Sequence, residues 1–393
     1  MKYFFIPGRS RALSKLELIK VLEVFEVDKY NLAEYTEFFT LDTKSDQLVI
    51  EKVFNRLGGC ISYGLLYEDI DNVLTEVTIK DKKKITFGVS IYTDSPRNYT
   101  SRSIKDVLED MKKYFKELKI SSRYLIPQGL RLDSGQILRS KMLFEGFELV
   151  ILEDKKSKVG KQYGKTLGVQ DIDLYSMIEY DKPYTNKEMG VLPAKLAKIL
   201  INLAQVKEGT IWDPFCGSGT ILLMSLLSGL DALGSDIDPD AVKGSKENIE
   251  WLSQKGVIGD VRYEVTELDV LNPDWRKKML LKKTSIEAIV CEPFMGPPQF
   301  KLLSAGKANT FLHDVETLYK GLFDIIDETK KKASTVVLVV PSYKTYNGWI
   351  TVSLNSIVGK RWEIEKIAGE DLQWSRSNSI IKRNIFILKR KNI

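Results

Sequence analysis

Asp213-Pro-Phe-Cys-Gly-Ser-Gly-Thr220 constrains this chain more than any other stretch. A short apolar segment, Thr210-Ile-Trp212, leads into it, and the apolar run Ile221-Leu-Leu-Met-Ser-Leu-Leu227 follows. Strand, tight glycine turn and helix in that order open a Rossmann-like nucleotide site. Glycine has no Cβ, so at Gly217 and Gly219 the backbone can turn sharply and lie against a ligand. The spacing is not the dinucleotide G-x-G-x-x-G, and no G-K-[ST] follows, which sets aside a hydride cofactor and a P-loop phosphate. From residue 190 onward helical and strand-like segments alternate. Helices are expected over Pro193 to Leu203 and Ile221 to Leu227, and strands ending at Ile211 and over Asp231 to Ser235 and Thr335 to Val340. Arg361 to Ile367 and Ile380 to Leu388 read as two closing antiparallel strands. The expected fold class is α/β, a mostly parallel sheet with an antiparallel edge over residues 190–393.

The preceding part reads as a smaller α+β region. Strands are expected at Tyr3 to Ile6, Glu37 to Thr40, Gln47 to Ile50, Ile85 to Ile91 and Phe147 to Leu152. A first helix takes Ser14 as N-cap and Glu17 as the partner in a capping box. A short helix covers Glu51 to Leu57, and an amphipathic one runs from Ile104 to Leu118. Asp154-Lys-Lys-Ser-Lys-Val-Gly-Lys161 is charged and glycine-containing, a solvated hairpin tip more often than a nucleic-acid contact. Thr166 to Tyr180 and Asp181-Lys-Pro183 read as a strand and a linker. The expected divisions are 1–50, an α+β part of ferredoxin-like type; 51–154, a second α+β region; 155–189, a linker; and 190–393.

Four stations follow one another in the last of these. Asp213 and the glycine loop come first. The second is Gly234-Ser-Asp-Ile-Asp-Pro239, ~20 residues on, where an acid that holds ribose hydroxyls belongs. Asp236 leaves the strand first and Ile237 follows it, whereas Asp238 also suits a helix cap. The third is Glu267-Leu-Asp-Val270, whose Asp269 suits an adenine amino group or a plain turn. The fourth is Cys291-Glu-Pro-Phe-Met-Gly296, a strand end carrying an acid, a proline and an aromatic. The lone pair of an aromatic amine is delocalised into its ring. One carboxylate oxygen and one backbone carbonyl that hold both amine hydrogens would aim that lone pair and stabilise charge developing on nitrogen.

Asp-Pro-Phe before the glycines resembles motif I of S-adenosylmethionine-dependent amino-methyltransferases. Glu292-Pro-Phe294 resembles their [Asp/Asn]-Pro-Pro-[Tyr/Phe] motif, with Glu for Asp or Asn, Phe294 for the second proline and Met295 at the usual aromatic position. Val169-Gln-Asp-Ile-Asp-Leu-Tyr175, Asp181-Lys-Pro183 and Gly190-Val-Leu-Pro-Ala-Lys-Leu-Ala-Lys198 extend the likeness. This ordered block resembles the archaeal and eukaryotic tRNA guanosine-N2 methyltransferases, which carry a THUMP RNA-binding module before a Rossmann-like catalytic domain. The resemblance implies S-adenosylmethionine as cofactor, a tRNA substrate, and N2 of the guanosine at the base of the D arm as target. It places Asp213, Pro214, Cys216, Gly217, Gly219, Asp236, Ile237, Asp269, Val270 and Pro193 at the cofactor, with Lys195 near it. It places Glu292, Pro293 and a stacking Phe294 at the acceptor, and makes 51–154 the THUMP-like region. DNA or rRNA amino-methylation, and a non-catalytic RNA-binding protein of the same fold, stay open.

Composition adds boundaries. The 393 residues carry a net charge of +6, compatible with a nucleic-acid partner without requiring one. Lys80, Lys82, Lys83 and Lys84 form a basic run, and Arg123, Arg131, Arg139 and Lys141 add to it; each could neutralise a phosphate or line a solvated loop. Cys60, Cys216 and Cys291 are scattered, so neither a zinc site nor a disulfide framework is expected, and His313 alone makes no metal cluster. No run approaches ~20 apolar residues, and the start is unlike a signal peptide. A cytoplasmic monomer is expected, with an auxiliary subunit left open.

Overall fold

The computed structural model describes residues 1–78, 83–185, 191–272, 274, 285–296, 299, 301–328, 333–358, 361–367, 372–375 and 379–391. They form two compact units, one of Met1–Leu18 with Phe25–Leu174, the other of Ile19–Val24 with Tyr175–Ile393.

The first unit begins β1 (Lys2–Pro7), α1 (Arg11–Val24, which continues into the other unit), β2 (Asn31–Glu34), β3 (Phe39–Asp42), α2 (Gln47–Arg56) and β4 (Cys60–Tyr67). Their sheet order β2-β3-β1-β4 is antiparallel throughout, the split β-α-β arrangement of ferredoxin-like folds. The chain continues through α3 (Ile70–Thr78), β5 (Lys84–Thr93), α4 (Ser101–Glu117), β6 (Ser121–Leu125), α5 (Ser134–Arg139), α6 (Met142–Glu145), β7 (Gly146–Asp154), β8 (Val159–Val169) and α7 (Ile172–Ser176). β8 pairs with β4 and β7, while β5 lies parallel between β7 and β6, so one sheet carries all eight described strands. Ile85, Phe87, Val89 and Ile91 alternate along β5 and meet Ile104, Leu108, Met111 and Phe115, the 3.6-period face of α4.

Four local expectations are corrected. Ser14 and Glu17 lie inside α1, not at its start. The S-x-x-E spacing also puts two side chains on one face of a helix interior, and both are spent on a turn. The Ser14 hydroxyl donates to the Gly59 carbonyl at 2.6 Å, and Glu17 accepts the Gly58 and Gly59 amides at 2.7 Å each. Gln47 to Ile50 is the first turn of α2, not a strand; Ile50, Val53 and Phe54 are buried at helical spacing. Residues 159–169 are a full sheet strand where a linker over 155–189 was expected, because pairing with two neighbours outweighs their polar, glycine-containing composition. The strand expected through Tyr180 stops at Val169. Residues 155–158 form the expected charged hairpin tip.

Glu148 sits fully buried on β7 and accepts from the Ser90 and Thr166 hydroxyls. Burial pushes its carboxyl from 4.5 up to about 7, against the pull of those hydroxyls. The folded state therefore binds a proton more tightly than the unfolded chain. Stability from this group is present below pH 4.5 and is lost as pH rises to about 7. The shift corresponds to roughly 3 kcal/mol. Glu148→Gln is expected to raise the thermal midpoint of this unit at about pH 8 and to flatten its pH dependence below neutrality; an unchanged melting profile would contradict it.

The second unit contains α8 (Ala194–Leu203), β9 (Thr210–Asp213), α9 (Thr220–Leu227), β10 (Asp231–Asp236), α10 (Pro239–Gln254), β11 (Tyr263–Glu267), β12 (Ala288–Cys291), α11 (Ala305–Glu328), β13 (Thr335–Thr345), β14 (Gly348–Thr351), β15 (Trp362–Ile364), β16 (Gln373–Trp374) and β17 (Ile381–Arg390). The sheet order is β11-β10-β9-β12-β13-β17-β15. The first five are parallel; β17 runs antiparallel to β13. Trp212, Ile289, Val336, Leu338 and Val340 pack with Leu312, Val315, Tyr319, Leu322 and Ile326 of α11. The order reverses between β9 and β12, and a crevice opens beyond the carboxyl ends of strands at such a point.

Candidate active site

That crevice holds a cavity lined by residues from four strand ends. β9 delivers Asp213 and the glycine loop, β10 Asp236 and Ile237, β11 is followed by Leu268, Asp269 and Val270, and β12 is followed by Glu292, Pro293, Phe294 and Met295. The four stations separated along the sequence thus converge. Of the other cofactor candidates, Cys216 and Gly217 line the cavity; Pro193, Pro214 and Gly219 are not among its lining residues.

Two glycines hold the loop's shape. Gly217 has φ +51° and open space where a side chain would stand. Gly219 has φ +78°, and a Cβ there would lie 2.9 Å from that of Ser245, so it serves the approach of α10 to the loop. Pro193 is the N-cap residue of α8.

The bonding separates the two acids of the second station. Asp236 Oδ2 accepts the Gly217 amide at 2.8 Å, and Oδ1 accepts the Asp238 amide at 3.1 Å. Asp238 instead accepts the Asp240 amide at 2.9 Å and caps α10. Asp269 accepts the Leu271 amide at 2.8 Å, a turn contact that holds it beside Val270 at the wall. Met295 is tied down through its carbonyl, which accepts the hydroxyl of buried Tyr343 at 2.5 Å. Phe294 is 41% exposed, an aromatic face open beside Glu292.

The electrostatics of this wall ask for a cationic ligand. It presents four carboxylates, Asp213, Asp236, Asp269 and Glu292, of which Glu292 is paired with Arg383, and no lysine or arginine among its lining residues. Burial pushes the Asp213 carboxyl well above the usual range, against the Phe215 amide it accepts, and neighbouring Asp236 and Glu292 push it the same way. Asp236 is raised by burial, partly offset by the amides it accepts. An ammonium and a sulfonium on one ligand would relieve that repulsion. S-adenosylmethionine carries both, and the residues present fit it.

Two cations behind the wall escaped the sequence reading. Lys182, buried, donates to the Ser218 and Thr220 hydroxyls at 3.0 Å each, and burial lowers it to about 8. Asn248 donates to the Tyr184 and Ser218 carbonyls at 2.9 and 2.8 Å. Asp181-Lys-Pro183 was the available signal: this block braces the glycine loop from outside. Arg383, on β17, meets Glu292, and no local motif marks it.

The basic candidates of the first unit divide. Lys83, Lys84 and Arg123 lie along the β5–β6 edge, where Lys84 pairs with Ser121 and Thr86 with Arg123, so Lys84 and Arg123 share a face. Arg131 is engaged by Glu37 at 2.6 Å and stacks over Tyr92, while Arg139 faces Asp133 at 4.0 Å. Lys80, Lys82 and Gly190 lie outside the described residues.

Strand order and the cavity at its switch point together define a Rossmann-like α/β domain with a carboxylate-lined site. The family model described as RMKL-like, methyltransferase domain, matches residues 184–353, and one described as DNA methylase matches residues 62–247. Relatives at about 30% identity are tRNA (guanine(10)-N2) methyltransferases. The tRNA (guanine(10)-N2)-dimethyltransferase of Methanothermobacter thermautotrophicus is 29% identical over 178 residues, 45% of this chain and 44% of that protein. The tRNA (guanine(10)-N(2))-methyltransferase of Saccharomyces cerevisiae is 32% identical over 149 residues, 37% of this chain and 33% of that protein. The chain thus spans less than half the length of these two relatives. Among solved structures, TehB from Haemophilus influenzae is similar over 59% of this chain and 70% of its own, at 14% identity and a TM-score of 0.32. Among the described residues no helix is long and apolar enough to cross a membrane, and no cluster of three or more His, Cys, Asp or Glu could hold a metal.

Proposed function

We propose that this chain is an S-adenosylmethionine-dependent tRNA methyltransferase that modifies the exocyclic N2 amine of a guanosine, position 10 by likeness to its relatives. One observation carries the reading: the glycine loop, Asp236, Asp269 and Glu292-Pro-Phe294 line a single cavity. When bound, the donor supplies a methyl group on a positively charged sulfur. Asp213 and the loop at Gly217 would hold its amino-acid portion, Asp236 its ribose hydroxyls, and Asp269, Val270 and Ile237 its adenine. Glu292 and the Pro293 carbonyl would receive the two amine hydrogens and aim the nitrogen lone pair at the methyl. The same acceptors favour the positive charge that grows on nitrogen before a proton leaves to water. Phe294 would stack on the guanine once it is drawn from its own stack.

The first unit is proposed as the RNA-binding part, ferredoxin-like and then THUMP-like. The described basic edge of Lys83, Lys84 and Arg123 supports this. Three free, buried cysteines fit a cytoplasmic setting. Reversing all three basic charges to glutamate is expected to weaken tRNA binding roughly tenfold or more and to reduce its salt slope by about two to three. Unchanged affinity and slope would move the RNA contact elsewhere.

DNA amino-methylation is the second reading, favoured by the DNA methylase match. In one large class of those enzymes the Pro-Pro motif precedes the glycine loop, the reverse of the order here, while other classes share the present order, so the block before the loop and the first unit favour tRNA. Incubation with tritiated donor and separate tRNA, rRNA and DNA pools decides. Label in tRNA, recovered as N2-methyl- or N2,N2-dimethylguanosine, is expected; label in DNA alone overturns the tRNA reading.

A further inference from the structure

The acid of the acceptor motif is already held. Glu292 Oε1 accepts from Arg383 Nε at 2.5 Å and Oε2 accepts from Arg383 Nη2 at 3.3 Å, a fork against a fork. The side chains are 13% and 19% exposed, so water screens the pair only partly. Arg383 is fixed independently. β17 places it opposite Pro341 of β13 on one side and Trp374 of β16 on the other, and its guanidinium lies 5.1 Å from the centre of the Trp374 ring.

We propose that Arg383 is the positioning residue of the acceptor site, holding the Glu292 carboxylate in one plane and balancing its charge so that it acts as an oriented hydrogen-bond acceptor. This rests on the amine-methylation reading above.

Three physical points support it. Glutamate reaches one methylene further than the Asp or Asn of the motif it resembles, and the added rotor would blur the aim of the carboxylate. A two-point contact with a planar guanidinium removes that freedom, and a lysine ammonium would not, since it offers a point charge and no fork. Asp213, Asp236 and Asp269 already line the cavity, and a fourth unpaired carboxylate would raise the repulsion further. With Arg383 behind it, Glu292 faces the cavity as a nearly neutral unit, electrostatically closer to the asparagine that some amino-methyltransferases carry. Each oxygen keeps a second lone pair after accepting from Arg383. One of these can take an amine hydrogen while the Pro293 carbonyl takes the other. The substitution that makes this motif unusual is thereby matched by a partner on another strand.

The test is a double-mutant cycle on the full chain with the tRNA pool and S-adenosylmethionine, reading kcat, KM for tRNA and donor Kd. R383Q is expected to lower kcat about a hundredfold with donor Kd within about threefold, and R383K to recover only part of the loss. In an E292Q background, where the carboxamide needs no counter-charge, R383Q is expected to cost less than about threefold. Additive losses, an R383Q variant with full kcat, or one that loses donor binding in step with kcat would each overturn the inference. Wild-type protein that methylates no tRNA would overturn the functional reading and this inference with it; active wild type with an additive cycle removes the inference alone.

Discussion

Glu292→Ala is expected to lower methyl transfer at least about a thousandfold while the donor's dissociation constant changes less than about threefold. The substitution has two effects. It removes the group proposed to accept the amine hydrogens, and it leaves Arg383 shielded without its carboxylate, which commonly destabilises by about 3–5 kcal/mol. Thermal midpoints must therefore accompany the rates. Glu292→Gln separates the effects, because its carbonyl oxygen can still accept from Arg383; it should fold with a nearly normal midpoint and lose less activity than alanine. Equilibrium donor binding and single-turnover transfer on purified tRNA measure both quantities. A folded Glu292→Ala protein that binds donor poorly would place this acid at the donor and refute its role at the acceptor.

Asp236→Ala is expected to do the reverse, raising the donor's dissociation constant about a hundredfold or more. Two hydrogen bonds from ribose hydroxyls to a charged acceptor contribute on the order of 3 kcal/mol together. The structure adds a second reason. Asp236 also holds the Gly217 amide, so alanine releases the loop as well as the proposed ribose contact. Asp238→Ala serves as the control: its carboxylate caps α10, and about 1 kcal/mol of stability is expected to go with little change in donor affinity. Isothermal titration of the three proteins with donor checks this. Equal affinity in wild type and Asp236→Ala would remove the ribose assignment.

The glycine-loop side of the cavity was largely legible before the fold was known, for a local reason. A strand, Gly217 and Gly219 in positive φ, and a helix form one contiguous unit whose conformation its own residues dictate. The acid that bonds the loop lies only 19 residues later, at the end of the neighbouring strand. The Glu292 side was legible in part, since Glu292-Pro-Phe294 marks a strand end but says nothing of what stands behind it. Arg383 is 91 residues away, and Lys182 reaches the loop from 36 and 38 residues upstream. Such pairs leave no periodic trace. In the first unit the errors had the same origin. Ser14 and Glu17 have the spacing of a cap, yet Gly58 and Gly59, brought near by β4, claim both side chains.

Residues close in the chain, then, carried the alternation of helices and strands, the glycine turn and the order of the four acidic stations, because backbone conformation and side-chain period are local properties. Tertiary structure decided which acid serves the loop and which caps a helix, that 159–169 is a sheet strand, and that four carboxylates share one wall with Arg383 behind the last of them. Those outcomes depend on distances between strands that are adjacent in the sheet and remote in the chain. Charge repulsion and hydrogen bonding act across that space and not along the sequence.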